Sequence, residues 1–197
     1  QEVLIQGMLP PATLLDIMRT CTVFMNSGHK HIKVVARYQQ YRAVQRMVQR
    51  LRDGQTPQER SGVVWHTQGS GKSLTMVFLV RKLRVSDDLK DFKVLMVNDR
   101  RDLEKQLGDT AALTGERVNW VESTNALRSE LATPSSDLNL VMIHKFHKAE
   151  DKTPKYMRDY SRDHLIAADV SVPEYRAFGT VNESDRILIL IDETHRS

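Results

Sequence analysis

Cysteine is almost missing from this 197-residue chain: Cys21 stands alone, so no internal disulfide can form and a reducing compartment is the default setting. No stretch of roughly 18 or more residues is both apolar and uncharged, which leaves no candidate for a membrane-spanning helix. The opening QEVLIQGMLPP lacks the basic start of a secretory signal and carries Glu2 ahead of its few apolar residues. Internal repeats and low-complexity segments are absent as well. Metal-ligand clusters are scarce. The pairs His29/His31 and His144/His147 have suitable spacing, but with one cysteine and no second acid pair nearby they read as ordinary surface or core histidines.

Nor is there a strong excess of one charge. The net +4 comes from 29 basic and 25 acidic side chains, and the distribution says more than the average. From Ala36 to Arg52 there are five arginines and no acid, a local positive field suited to a polyanion such as nucleic acid or nucleotide phosphate. Tyr41, Val44, Met47, Val48 and Leu51 recur there at steps of three and four, so the segment reads as an amphipathic helix. Arg42, Arg46 and Arg50 form a separate stripe on it, open between a solvated face, a domain interface and a nucleic-acid contact.

What is abundant is alternation. GVVWH (62–66) predicts a short buried strand and Ser73 to Arg84 a helix. KVLMVN (93–98) predicts a strand followed by a helical run from Arg101 to about Leu107. A further strand is expected at Val118 to Val121, a helix at Asn125 to Leu131, and strands at 138–143 and 187–191. Apolar runs alternating with helical patterns give an α/β fold, a mostly parallel sheet covered by helices on both faces. Trp65 and Trp120 are expected in its core. Residues 1–35 read as a connecting segment, helical around Leu14 to Met18. Residues 151–186, with six basic and seven acidic side chains, read as an insertion between two core strands.

The chemistry concentrates at two places. HTQGSGKS (66–73) sits between an expected strand and an expected helix. Triphosphates need clustered N–H donors, and only a small-residue loop brings backbone that close. Thr67, Gln68, Gly69, Ser70 and Gly71 would form this cradle. Lys72 would reach the β- and γ-phosphates, and the Ser73 hydroxyl would ligate Mg²⁺. The second place is ILILIDETH (187–195), with two carboxylates at the C-terminal end of an expected buried strand. Asp192 would hold Mg²⁺ through water, and Glu193 would polarise the water attacking the γ-phosphate. Alone, Asp-Glu after a strand is often a polar strand exit. Paired with the phosphate loop it becomes a nucleotidase pair.

These residues carry a resemblance. Asp192-Glu193-Thr194-His195 looks like the D-E-x-H box of superfamily 2 helicases. RYQQ (37–40) resembles their upstream glutamine motif, in which a Gln reads the adenine edge; Gln40 is the match, with Gln39 adjacent. KVLMVNDRRDLEKQL (93–107) resembles motif Ia, and VMIHKFH (141–147) sits where a further DNA-contacting motif is expected. WHTQGSGKSLTM, the pattern in Arg101, Leu103 and Gln106, RYQQYRAV and IDETHRS together are similar to the restriction (R) subunit of type I restriction-modification enzymes, in which His66 is normal.

That resemblance implies a RecA-like P-loop domain with a helical N-terminal connector: residues 1–35 as connector and 36–197 as the first motor domain, ending after the D-E-x-H box. It implies ATP and Mg²⁺ as cofactors, double-stranded DNA as track, methyltransferase and specificity subunits as partners, and the cytoplasm of a bacterium or archaeon. The nuclease residues are expected outside this chain, which reads as a fragment of a larger polypeptide. Other readings are a DNA-repair or RNA helicase of the same superfamily, a P-loop kinase or switch protein, and a nucleotide- or DNA-binding module without turnover. The kinase would need no glutamine motif, and its acidic strand seldom ends D-E-x-H.

Overall fold

The computed structural model describes residues 2–27, 30–67, 69–98, 104–143 and 179–192. Among these, α1 (Glu2–Met8) and α2 (Pro11–Thr20) lead into an antiparallel strand pair, β1 (Thr22–Ser27) with β2 (Lys30–Val35). Then come α3 (Tyr38–Asp53), the short α4 (Pro57–Arg60) and α5 (Lys72–Arg84). β3 (Lys93–Asn98), α6 (Glu104–Ala111), β4 (Val118–Val121), α7 (Thr124–Ala132), β5 (Leu138–Met142) and β6 (Ile187–Ile191) complete the chain.

The main sheet has the order β4-β5-β3-β6, with all three pairings parallel. Every residue of β3 and β5 is buried, as expected for central strands covered on both sides. Alternate side chains of these strands serve two cores. Val94, Met96, Leu138 and Leu140 join Val44 and Val48 of α3 and Val77, Phe78 and Leu83 of α5. Leu95, Val97 and Val141 face Leu127 and Leu131 of α7 on the opposite side. The expected α/β architecture is therefore present, with helices on both faces of a parallel sheet.

The leading 35 residues are bound into the first of these cores. Ile17, Cys21 and Val23 belong to the same apolar cluster as α3 and α5. The helix expected around Leu14 to Met18 is α2, and the strand pair after it was not expected. Its signal was available in Asn26-Ser27-Gly28, turn-forming residues between two runs rich in β-branched side chains.

Three expectations are corrected. GVVWH (62–66) forms no strand; residues 61–67 are irregular, and among the described residues no ladder joins them to the sheet, so Val63, Val64 and Trp65 are exposed. Trp65 is accordingly 88% exposed rather than core, and Trp120 on the edge strand β4 is 47% exposed. The strand ahead of the acidic pair is not fully buried either. Among the described residues β6 pairs with β3 alone, which leaves Ile189 and Ile191 about half exposed. The bulk of the expected insertion, together with Arg101, Leu103, His29, His144 and His147, lies outside the described residues.

Candidate nucleotide site

The site starts from the connection between α5 and β3. Arg84, the last residue of α5, donates from Nη1 to the Phe92 carbonyl at 2.8 Å, fixing the end of the helix beside the start of β3. A helix of 13 residues and a strand of 6 both run about 20 Å. The first turn of α5 is thereby directed toward the C-terminal edge of the parallel sheet. Asp192 lies at that edge, its backbone N–H donating to the Val97 carbonyl at 3.0 Å. In α/β sheets this edge is where ligands bind.

The loop entering α5 is shaped by its glycines. Gly69 (φ 75°) and Gly71 (φ 85°) both take the left-handed conformation, which a side chain makes costly. Between them the chain turns tightly: the Ser70 N–H and hydroxyl donate to the Thr67 carbonyl at 3.2 and 2.6 Å. Gly71 caps α5, its carbonyl accepting from the Thr75 N–H at 3.1 Å. The unpaired N–H groups of the first turn carry the positive end of the helix dipole, a setting for anions. Lys72 and Ser73 open the helix, half-buried, and among the described residues neither side chain is held by a protein partner.

Of the residues singled out, Thr67, Gly69, Ser70, Gly71, Lys72 and Ser73 form this loop and helix start, and Asp192 directly follows β6. Among the described residues no hydrogen bond or ion pair joins Lys72 or Ser73 to Asp192. Gln68 and Glu193 lie outside the described residues.

Gln40 is brought to the loop directly. It is 5% exposed, and its Nε2 donates to the Gly71 carbonyl at 3.0 Å and the Ser70 carbonyl at 3.4 Å. Its Oε1 accepts from the Arg37 N–H at 2.8 Å, half of a capping box at the start of α3. The neighbouring Gln39 is exposed.

Oxygen donors from a hydroxyl and a carboxylate suit a hard divalent cation such as Mg²⁺, and the loop and helix start suit polyphosphate. Away from the loop, Arg42, Arg46 and Arg50 are exposed on α3, with no acidic partner among the described residues. No group of three or more His, Cys, Asp or Glu side chains gathers into a further metal site among the described residues, and no described helix is long and apolar enough to cross a membrane.

The chain is 32% identical over 202 residues to the type I restriction enzyme HindI endonuclease subunit of Haemophilus influenzae, covering 98% of this chain and 17% of that protein. It is 26% and 28% identical to the putative type I restriction enzyme MjaIXP and MjaVIIIP endonuclease subunits of Methanocaldococcus jannaschii, covering 88% and 98% of this chain. Those matches span 17% and 19% of the relatives' own lengths. The SWI2/SNF2 ATPase family matches residues 39–197, most of the chain and every element from α3 onward, and the protein belongs to that family.

Proposed function

We propose that this chain is the ATP-binding part of a DNA translocase motor in the endonuclease subunit of a type I restriction enzyme. The observation that carries the proposal is the loop itself. Two left-handed glycines deliver the chain to a helix opening on Lys72 and Ser73, at the sheet edge where a parallel strand is followed by Asp192. The system is that of its relatives, endonuclease subunits of type I restriction enzymes. Residues 67–73 bind the triphosphate, the Lys72 ammonium meets its β- and γ-oxygens, and Glu193 orients the attacking water. Ser73 and Asp192 hold Mg²⁺, which neutralises phosphate charge when bound. ATP binding closes this domain on a second one and hydrolysis releases it, moving the enzyme along double-stranded DNA. Residues 1–35 serve as a connector packed against the motor, and methyltransferase and specificity subunits are its partners.

The experiment is a pair of substitutions. Lys72→Ala removes the cation facing the phosphates and abolishes Mg-ATP binding in a fluorescence titration. Glu193→Gln keeps binding and lowers turnover at least ~10²-fold, the scale for losing a positioned base. Near-normal ATP affinity in Lys72→Ala would sink the proposal. A parallel loss of binding in Glu193→Gln would make that residue structural.

A further inference from the structure

We infer that the solvent face of α3 is a sequence-independent contact surface for the phosphate backbone of double-stranded DNA, made by Arg42, Arg46 and Arg50. These residues lie opposite the side of the helix that buries Val44, Val48 and Leu51, and all three are exposed with no acidic partner among the described residues. Arg52 on the same helix gives the contrast. Its guanidinium forks onto the Asp88 carboxylate at 2.7 and 2.9 Å, an arginine committed to the fold. Neither segment expected to touch DNA, 93–107 or 141–147, lies on this helix. The stripe runs down one flank of the domain: α3 starts at the phosphate loop, where Gln40 donates to the Gly71 carbonyl. It ends near the start of β6, where Arg60 joins the Gly54 carbonyl to Asp185.

Folding does not account for the stripe. Like charges four residues apart on a helix repel, and an ordinary solvated face interleaves the two signs. Here no acid occurs from Ala36 to Arg52, and Asp53 at the end of the helix is taken by Gln49 at 2.9 and 2.8 Å. The surroundings of the arginines speak against a protein partner. Protein interfaces have an apolar centre, yet among the described residues no large apolar side chain is exposed on α3; the exposed neighbours are Gln39 and Gln49. Phosphate fits better. Guanidinium forks match phosphate oxygens, and four residues of helix rise about 6 Å. The stripe therefore spans about 12 Å, the axial length of about three or four phosphates on one strand of a duplex.

This inference rests on the reading of the chain as part of a DNA motor, and separate titrations of duplex and Mg-ATP keep the two apart. The full chain is titrated against a fluorescein-labelled blunt duplex of mixed sequence at NaCl concentrations between about 50 and 200 mM, with anisotropy as the readout. Arg42→Gln, Arg46→Gln and Arg50→Gln each make the slope of log affinity against log salt shallower by about 0.9, and the triple variant by about 2.7. Two duplexes of unrelated sequence lose affinity equally, because phosphate contacts carry no sequence information. Lysine at all three positions keeps the slope, which counts the charges neutralised. Mg-ATP affinity is unchanged in the triple glutamine variant, and its urea midpoint does not fall. An unchanged slope in that variant would overturn the inference, whether or not affinity drops. A joint fall of Mg-ATP affinity and urea midpoint would overturn it too, as a general loss of structure. Poly-glutamate displacing the labelled duplex as well as unlabelled duplex does would overturn it in favour of an acidic protein face. If the unaltered chain binds Mg-ATP and no duplex, the stripe falls alone. If it binds duplex with a stripe-dependent slope and no Mg-ATP, the nucleotide reading falls and the stripe stands.

Discussion

The Asp16 carboxylate meets the Lys82 ammonium at 2.5 Å, tying the N-terminal helix α2 to the helix that opens on the phosphate loop. The same carboxylate accepts from the Tyr41 hydroxyl at 2.9 Å and from Gln45 Nε2 at 2.7 Å, both on α3. One side chain therefore joins three helices, and both α3 and α5 contribute to the candidate site. Asp16→Ala would leave three donors without their acceptor in a largely covered position, 17% and 19% exposed for the Lys82 and Asp16 side chains. The expected cost is about 2 kcal/mol, read as a lower urea midpoint with an unchanged slope.

Asp16 also sets a pH dependence. Burial pushes its carboxyl up, but the bonds from Lys82, Tyr41 and Gln45 outweigh it and hold the group below its ordinary value of 3.8. A depressed carboxyl favours the folded state above its unfolded pKa, and that contribution disappears as pH falls through the lower, folded value. Stability should therefore fall below about pH 4, and Asp16→Asn should flatten part of this acid limb in urea titrations taken at successive pH values.

Cys21 is fully buried in the core beside α2, and burial pushes its thiol up from 9.0 to about 11. Thiolate is the reactive form, so the folded chain should resist iodoacetamide at pH 8 and react promptly in denaturing urea. A raised thiol pKa favours folding below the unfolded value and loses that contribution as pH rises toward the folded one. An alkaline loss of stability between about pH 9 and 11 should be reduced in Cys21→Ala after correction for the cavity. Rapid labelling of the folded chain at pH 8 would show that this core opens readily.

Much of the fold was legible because its signals are local. The apolar run Val94 to Val97 and its counterpart at Leu138 to Met142 are continuous, which identifies strands buried on both faces. The phosphate loop was legible for the same reason, since Gly69, Gly71, Lys72 and Ser73 are consecutive or nearly so. GVVWH carries the same kind of run, yet a strand also needs a partner, and no residue within 62–66 specifies one. The Gln40 contact was illegible in another way. The sequence offers a glutamine near a nucleotide motif, but only the path of α3 shows that its amide is spent on the carbonyls of Ser70 and Gly71. Lys93 is similar: the sequence shows it only as the first residue of the strand at 93–98, and its role depends on where α7 ends.

The Lys93 side chain is buried and caps α7. Its ammonium donates to the carbonyls of Glu130 and Thr133, the latter at 2.7 Å. Asn182 Nδ2 takes the Leu131 carbonyl beside them at 2.6 Å. Lys93→Met keeps the stem but leaves helix-end carbonyls without a donor in a covered position, with an expected cost of about 2 kcal/mol. Asn182→Ala removes one neutral bond and should cost about 1 kcal/mol. Thermal or urea unfolding would rank the two, and an equal or larger effect at Asn182 would contradict the lysine as principal cap.

The two loop glycines should respond differently to the same substitution. Both have positive φ, 75° at Gly69 and 85° at Gly71, so an alanine at either costs roughly 1–2 kcal/mol in backbone conformation. Their surroundings differ. A Cβ at Gly69 meets nothing within 4 Å, whereas one at Gly71 stands 2.8 Å from the Gln40 amide nitrogen. Gly71→Ala must therefore displace the side chain that holds the loop carbonyls, and Gly69→Ala need not. The expected outcome is a moderate loss of Mg-ATP affinity for Gly69→Ala and a loss at least about tenfold larger for Gly71→Ala, the added factor corresponding to the two displaced hydrogen bonds. In the Gln40→Met background that bracing is already gone, so the two alanines should converge, each showing only its own backbone cost. Titration of all five variants with fluorescent ATP makes this a double-mutant cycle. If Gly71→Ala remains the more damaging substitution by the same margin without Gln40, the difference between the glycines lies in the backbone and not in contact with the amide.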